Sequence, residues 1–246
     1  MSRVLVIGGS GYAPSLMIPG LAESYTVRVL DPRPPSTECE YLAGDATDPT
    51  CLAKALDGVD VLVHAATGSH GRSDPARAAS QFTVNVTSVH LALAAAHDAG
   101  IRHAVHISSL SVFRNVTGRR VDESTRPDAD DPYGLSKRLG EEVCRAAARR
   151  WRMSVTVLRL AFPTPDVLWP AWGYTRPPTV RRATNGKPIH ATAASDLARA
   201  VAAAIEHRNG FQLFHITGDD SAGLWSIERA RTVLGWQPTF RIRPEC

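Results

Sequence analysis

Residues Arg3 to Asp31 read RVLVIGGSGYAPSLMIPGLAESYTVRVLD, and this stretch decides the fold. Arg3 to Ile7 is a short apolar, β-branched run of the kind that forms a strand buried on both faces. Gly8, Gly9 and Gly11 then make a tight turn ahead of a helical segment. Glycines let a backbone come close to a diphosphate, and a helix N-terminus supplies N–H donors and a favourable dipole. A second strand, Thr26 to Leu30, runs into Asp31, twenty residues after Gly11. A carboxylate at that distance is placed to meet the hydroxyls of an adenosine ribose. Strand, glycine turn, helix, strand and acid together predict a dinucleotide-binding βαβ unit, with Gly8, Gly11, Tyr12 and Asp31 against the cofactor.

Two features qualify the fingerprint. Pro14 stands where a third glycine is usual; a proline is tolerated in a helix's first turn but is bulkier at a point of close packing. Arg33 is placed to meet a ribose phosphate, which Asp31 would repel, so the balance favours NAD over NADP.

Strand and helix patterns go on alternating. Glu40 to Leu42 is a short strand leading to GDATD, where Asp45 and Ala46 are candidates for the adenine region; the alternative for Asp45 is a helix cap. Val59 to His64 is a strand that ends in small residues, Ala65 and Ala66, leaving room for a cofactor. A long helical pattern from Ala76 to Ala99 carries Asn85, conspicuous among alanines, although a helical asparagine is commonly just solvated. Ile101 to Ser108 is a strand ending in SSLSVF, and hydroxyls at the carboxyl end of such a strand sit where open α/β sheets bind ligands. Met153 to Leu160 is a sixth strand. The expectation is an α/β chain: a Rossmann-type doubly wound parallel sheet over residues 1–160, and a small interrupted substrate-binding lobe over 161–246 that partly returns to it. In that lobe the proline-rich run from Phe162 to Pro178 holds Trp169, Trp172 and Tyr174, which either line a pocket or pack a loop.

The segment DPYGLSKRLGEEVCRAA, Asp131 to Ala147, carries the chemistry. Tyr133 and Lys137 lie four apart, so a helix brings phenol and ammonium onto one face. An ammonium nearby favours the phenolate and lowers a tyrosine pKa from about 10. That suits a proton donor and acceptor for alcohol or carbonyl chemistry.

The chain of 246 residues is 43% hydrophobic and 21% charged, an ordinary globular balance. No apolar run reaches the roughly 18 residues of a membrane span. Basic residues are dispersed despite a net charge of +4, without aromatic interleaving, so nucleic acid is not an expected partner. Cys39, Cys51, Cys144 and Cys246 show no metal or redox spacing, which fits reduced thiols and a cytoplasmic protein.

With these residues in place, the sequence resembles the extended short-chain dehydrogenase/reductase family, the group of NAD-dependent sugar epimerases, dehydratases and dehydrogenases. The resemblance rests on the glycine turn, Asp31, Asp45, HAA at His64 to Ala66, Asn85 in NVTSV, SSLSVF, YGLSK, DLA at Asp196 and LGWQP at Leu234 to Pro238. It implies Tyr133 as the acid–base, Lys137 on the nicotinamide ribose, Ser109 on the reacting oxygen with Ser111 beside it, and Asn85 anchoring the proton-relay region. It also implies NAD as cofactor, a sugar-like or hydroxy-acid substrate and a homodimer. Ile7 in place of threonine and LAFPTPD after the sixth strand depart from the pattern. The compact length and the RPDADDPYGLSK run look more like the uronate dehydrogenase branch, with Arg176, Arg181 and Arg182 as candidates for a carboxylate. The rival implied activity is a nucleotide-sugar 4-epimerase or dehydratase with an internal hydride cycle.

Overall fold

A computed structural model describes residues 1–68, 74–219 and 223–241. The chain begins with β1 (Arg3–Ile7), α1 (Tyr12–Ala22), β2 (Thr26–Asp31), β3 (Glu40–Ala43), α2 (Pro49–Leu56) and β4 (Val61–His64). There follow α3 (Pro75–Phe82), α4 (Ser88–Asp98), β5 (His103–Ser109), α5 (Pro132–Trp151) and β6 (Ser154–Leu160). The remainder holds two short pairings, β7 (Pro163–Thr164) with β10 (Thr192–Ala193) and β8 (Arg181–Arg182) with β9 (Pro188–Ile189), then α6 (Ala194–Glu206), β11 (Phe211–Ile216) and α7 (Glu228–Val233).

Seven parallel strands form one sheet in the order β11-β6-β5-β4-β1-β2-β3. The order reverses between β1 and β4, and that switch point opens a crevice at the strands' carboxyl ends. One apolar layer joins α1 and α6 to the sheet through Met17, Ile18, Leu197 and Val201; the other joins α2, α4 and α5 through Leu52, Leu93 and Ala147. Ile7, where a threonine is usual, is wholly buried in the second layer.

The last third of the chain adds to both sheet and layers. β11 pairs along its length with β6, and α6 packs against α1. Asp196 ties the tail down: its buried carboxylate accepts bonds from the Thr239 and Phe240 N–H groups, and its carbonyl accepts the Trp236 indole N–H at 2.9 Å. The DLA and LGWQP motifs are thus two ends of one clasp.

The helical pattern over residues 76–99 is interrupted in one way. Thr83–Thr87 forms a π-helical turn between α3 and α4, with Asn85 at its centre and fully buried. Such turns frequently mark functional sites. Cys39, Cys51 and Cys144 are free thiols, and Cys246 lies outside the described residues. Among the described residues no helix is long and apolar enough to cross a membrane, and no cluster of side chains is suited to a metal ion.

Candidate active site

The crevice is built on the glycine turn. Gly8 has φ +80°, and a Cβ there would lie 2.3 Å from the Ala66 Cα, so the turn at the end of β1 closes onto the end of β4 only with glycine. Gly11 is the N-cap of α1 and offers no side chain, so the N–H groups of Tyr12 and Ala13 have no acceptor within the helix. Pro14 occupies the first turn and is buried, where its missing N–H breaks no helical bond. Asp31, 6% exposed at the end of β2, accepts the Ser10 N–H at 3.2 Å and the Arg33 N–H at 2.9 Å. Arg33 itself extends into solvent. Asp45 does not cap α2: Asp48 does, and Asp45 instead accepts the Thr47 N–H and hydroxyl in an exposed turn beside Ala46. A cradle that only glycine permits, unpaired helix N–H groups and a carboxylate at the neighbouring strand end fit an adenosine diphosphate.

Beyond the turn is a cavity of about 270 Å³ that brings Ser109, Ser111, Tyr133 and Lys137 together with Thr67. Tyr133 is in the first turn of α5, whose N-cap Asp131 accepts the Tyr133 and Gly134 N–H groups at 3.2 Å. Gly134 lets that turn press on the serine segment, since a Cβ would meet the Ser111 carbonyl at 2.4 Å. The Tyr133 phenol is hydrogen-bonded to the side chains of Ser109 and Thr67. Ser109 also accepts the Ser111 N–H at 3.1 Å, which fixes its rotamer. Asn85 reaches from the π turn to both sides, accepting the Gly68 N–H at 3.1 Å and donating to the Ser136 hydroxyl at 2.9 Å. It is buried and hydrogen-bonded on both sides, not solvated.

The electrostatics depart from the expected pairing. Lys137 donates to the Ile107 carbonyl at 3.1 Å, and burial lowers its ammonium to about 8. Tyr133 is pushed up by burial, more than its hydrogen bonds to Ser109 and Thr67 draw it down. The desolvation cost of a phenolate dominates, and the Asp131 carboxylate adds to it.

Beneath the pocket, α5 covers a polar row that runs across three strands. Register places Ser108 opposite Arg159 and Arg159 opposite His215. Glu141, one turn beyond Lys137, accepts Arg159 in two bonds of 2.9 and 2.7 Å and the Ser108 hydroxyl at 2.6 Å, all buried. One row away, His64 pairs with His106 across β4 and β5, their rings 5.4 Å apart. Burial depresses all three histidines, His64 and His215 to about 3 and His106 well below its ordinary value.

These neutral histidines set a pH dependence. The unfolded chain takes up a proton near pH 6.5 that the folded chain refuses until about pH 3, so stability rises with pH across that window and is lost on acidification. At pH 5, His64 and His215 each withdraw about 2 kcal/mol. Urea midpoints measured between pH 7 and 5 are expected to fall accordingly, and His64→Gln to flatten part of the slope.

The remaining sequence candidates divide. Trp172 and Tyr174 line the cavity, and Tyr174 stands edge-on to Tyr12 at 5.1 Å. Trp169 packs the loop, donating its indole N–H to the Ala191 carbonyl at 2.8 Å. Arg181 stacks over Phe162 and Trp172, Arg182 bonds the Gly186 carbonyl, and Arg176 is exposed. Thr67 and Phe162 are lining residues that sequence reasoning did not single out. Thr67 had a signal, its position just after HAA. A wider, open cleft of about 900 Å³ between residues 122–127, α5 and α7 is lined by charges of both signs and holds none of the candidate residues.

The fold and crevice define a Rossmann-type dinucleotide-binding architecture with a serine–tyrosine–lysine cluster at its switch point. The chain belongs to the NAD dependent epimerase/dehydratase family, whose model matches residues 4–163. It is 26% identical to a dTDP-D-glucose 4,6-dehydratase of Mus musculus over 174 residues, which is 64% of this chain and 49% of that one. It is 25% identical to the NAD-dependent glucose-6-phosphate dehydrogenase of Haloferax volcanii over 259 residues, 96% of this chain and 92% of that one. The structure of a short-chain dehydrogenase/reductase superfamily protein from Agrobacterium tumefaciens with bound NAD superposes with TM-score 0.79 at 24% identity, covering 97% and 93% of the two chains. The chain spans half or less of the length of the first curated relatives it matches.

Proposed function

We propose that the protein is an NAD-dependent oxidoreductase that moves a hydride between the cofactor and a hydroxyl-bearing carbon of a sugar, sugar acid or related hydroxy compound. The observation that carries this reading is the Tyr133 phenol, half-buried beside Ser109 and Thr67 at the mouth of a glycine-turn crevice. In oxidation Tyr133 accepts the substrate hydroxyl proton, and in reduction it returns it. Ser109 and Thr67 hold the reacting oxygen in line and stabilise charge as it develops. Lys137, its ammonium lowered to about 8 by burial, exchanges its Ile107 carbonyl contact for a ribose hydroxyl and passes protons to the tyrosine. Asn85 holds the Gly68 loop and α5 in register. Bound NAD supplies the hydride acceptor and donor. Homodimerisation through α4 and α5, which pack side by side, belongs to the same reading.

Net reduction of NAD by a hydroxy compound tests the proposal. An epimerase or dehydratase with an internal hydride cycle gives product without net NADH. The cofactor choice has its own test. Asp31→Asn keeps an acceptor for one of the Ser10 and Arg33 N–H groups, which Asp31 holds on different oxygens, and removes the charge that repels a ribose phosphate. NAD affinity is expected to fall about tenfold and NADP affinity to rise, measured by calorimetric titration of each.

A further inference from the structure

The proposed function leaves the substrate's body open, and the cavity wall narrows it. Much of the rest of the lining is Leu110, Val116, Phe162, Trp172, Tyr174 and Trp225, with Tyr174 edge-on to Tyr12 of the glycine turn. Lys137 is the one charged side chain among the described lining residues, and the proposed function commits it to the cofactor ribose. The hydroxyls of Thr67, Ser109, Ser111 and Tyr133 gather at the reacting end. Ser108 is committed to Glu141, and the Trp225 indole donates to the Val116 carbonyl at 2.8 Å. Trp172 alone in this wall keeps a buried indole N–H without a partner among the described residues. Phe162, whose ring joins the wall, is held at φ +42°, a conformation that a non-glycine residue adopts only under constraint.

Resting on the proposed oxidoreductase reading, we infer that the substrate is an uncharged hydroxy or keto compound with an aromatic or alicyclic body. That body fills the Phe162–Trp172–Trp225 wall, and at most one acceptor on it meets the Trp172 N–H. The physical ground is desolvation. A sugar's several hydroxyls, once buried, each need a partner, and a carboxylate or phosphate needs a cation. The described wall offers the Trp172 N–H and the Tyr174 hydroxyl, too few for a sugar's hydroxyls, and no cation. Space points the same way. A cavity of about 270 Å³ is small for a ligand site, and it must also admit the nicotinamide. Arg181, the nearest candidate for an anion, lies over the Phe162 and Trp172 rings at 5.4 and 5.2 Å and is not a lining residue.

In the reaction the substrate C–H bond breaks with its electron pair going to NAD. The hydroxyl proton goes to Tyr133 once that phenol's own proton has left through Lys137 to solvent, and the product is the ketone or aldehyde with NADH and one released proton; the reverse takes that proton up again. The test is a kcat/KM comparison on the full chain with NAD, using phenylethanol and cyclohexanol against galacturonate, glucose and UDP-glucose. The inference expects the apolar alcohols to lead by a factor of about ten or more. It also expects Trp172→Ala to raise their KM by about tenfold with kcat little changed. A lead for galacturonate, glucose or UDP-glucose overturns the inference and leaves the oxidoreductase reading standing. If NADH binds but no alcohol in the panel yields NADH, the apolar class is overturned. Failure of NADH to bind at all overturns the reading itself.

Discussion

Replacing Tyr133 with phenylalanine is expected to lower kcat by about 10²–10⁴-fold, the usual worth of a positioned acid–base group. The ring keeps its place in the first turn of α5, because what fixes that turn is the Asp131 cap and the close approach of Gly134 to Ser111. Only the hydroxyl bonded to Ser109 and Thr67 is removed. Binding of NADH, which draws on the glycine turn and Asp31, is expected to change by less than about threefold. Steady-state rates and a fluorescence titration on the same preparation separate the two effects. Turnover that persists in the variant removes Tyr133 from the chemistry.

The second large effect concerns stability. Glu141→Leu leaves the Arg159 guanidinium buried with no carboxylate, and breaking a buried pair on one side costs about 3–5 kcal/mol. For a chain of this size that corresponds to a fall in Tm on the order of 10 °C. The double variant Glu141→Leu with Arg159→Met is expected to recover most of the loss, because neither charge is then stranded. A double variant no more stable than the single one contradicts this account of the row. Glu141 also faces Lys137 and opposes the drop in its pKa, so the single variant is expected to shift the pH profile of any turnover towards lower pH.

The parts of the site legible in the sequence are those fixed by local spacing. The glycine turn, Asp31, the serine segment and the Tyr133–Lys137 pair each sit within one strand end or one helical turn, and the fold keeps each of them at the crevice. Asp45 was ambiguous because GDATD holds two acids, and only the backbone shows that Asp48, not Asp45, caps α2. The Ser108–Glu141–Arg159–His215 row was not legible, since it needs the register of three strands and the face of α5 at once. Residue type alone left Asn85 open to being a solvated helix residue, because its burial depends on a π turn that no periodicity announces; the family resemblance is what singled it out. The expected lowering of Tyr133 by Lys137 did not allow for burial, which raises the phenol and turns the ammonium to Ile107. The proline-rich run offered both a pocket lining and a packed loop for its aromatics without dividing them: Trp172 and Tyr174 face the cavity while Trp169 braces the loop.

The central claim is that the crevice binds a nicotinamide cofactor and selects NAD through Asp31. Its most direct test needs no substrate: titration of the intact chain with NADH and NADPH, followed by cofactor fluorescence and by quenching of the tryptophans near the pocket. The account predicts saturable binding of NADH, with NADPH weaker by about tenfold or more because its phosphate meets the Asp31 carboxylate. Absence of saturable NADH binding, or equal affinity for the two cofactors, contradicts it.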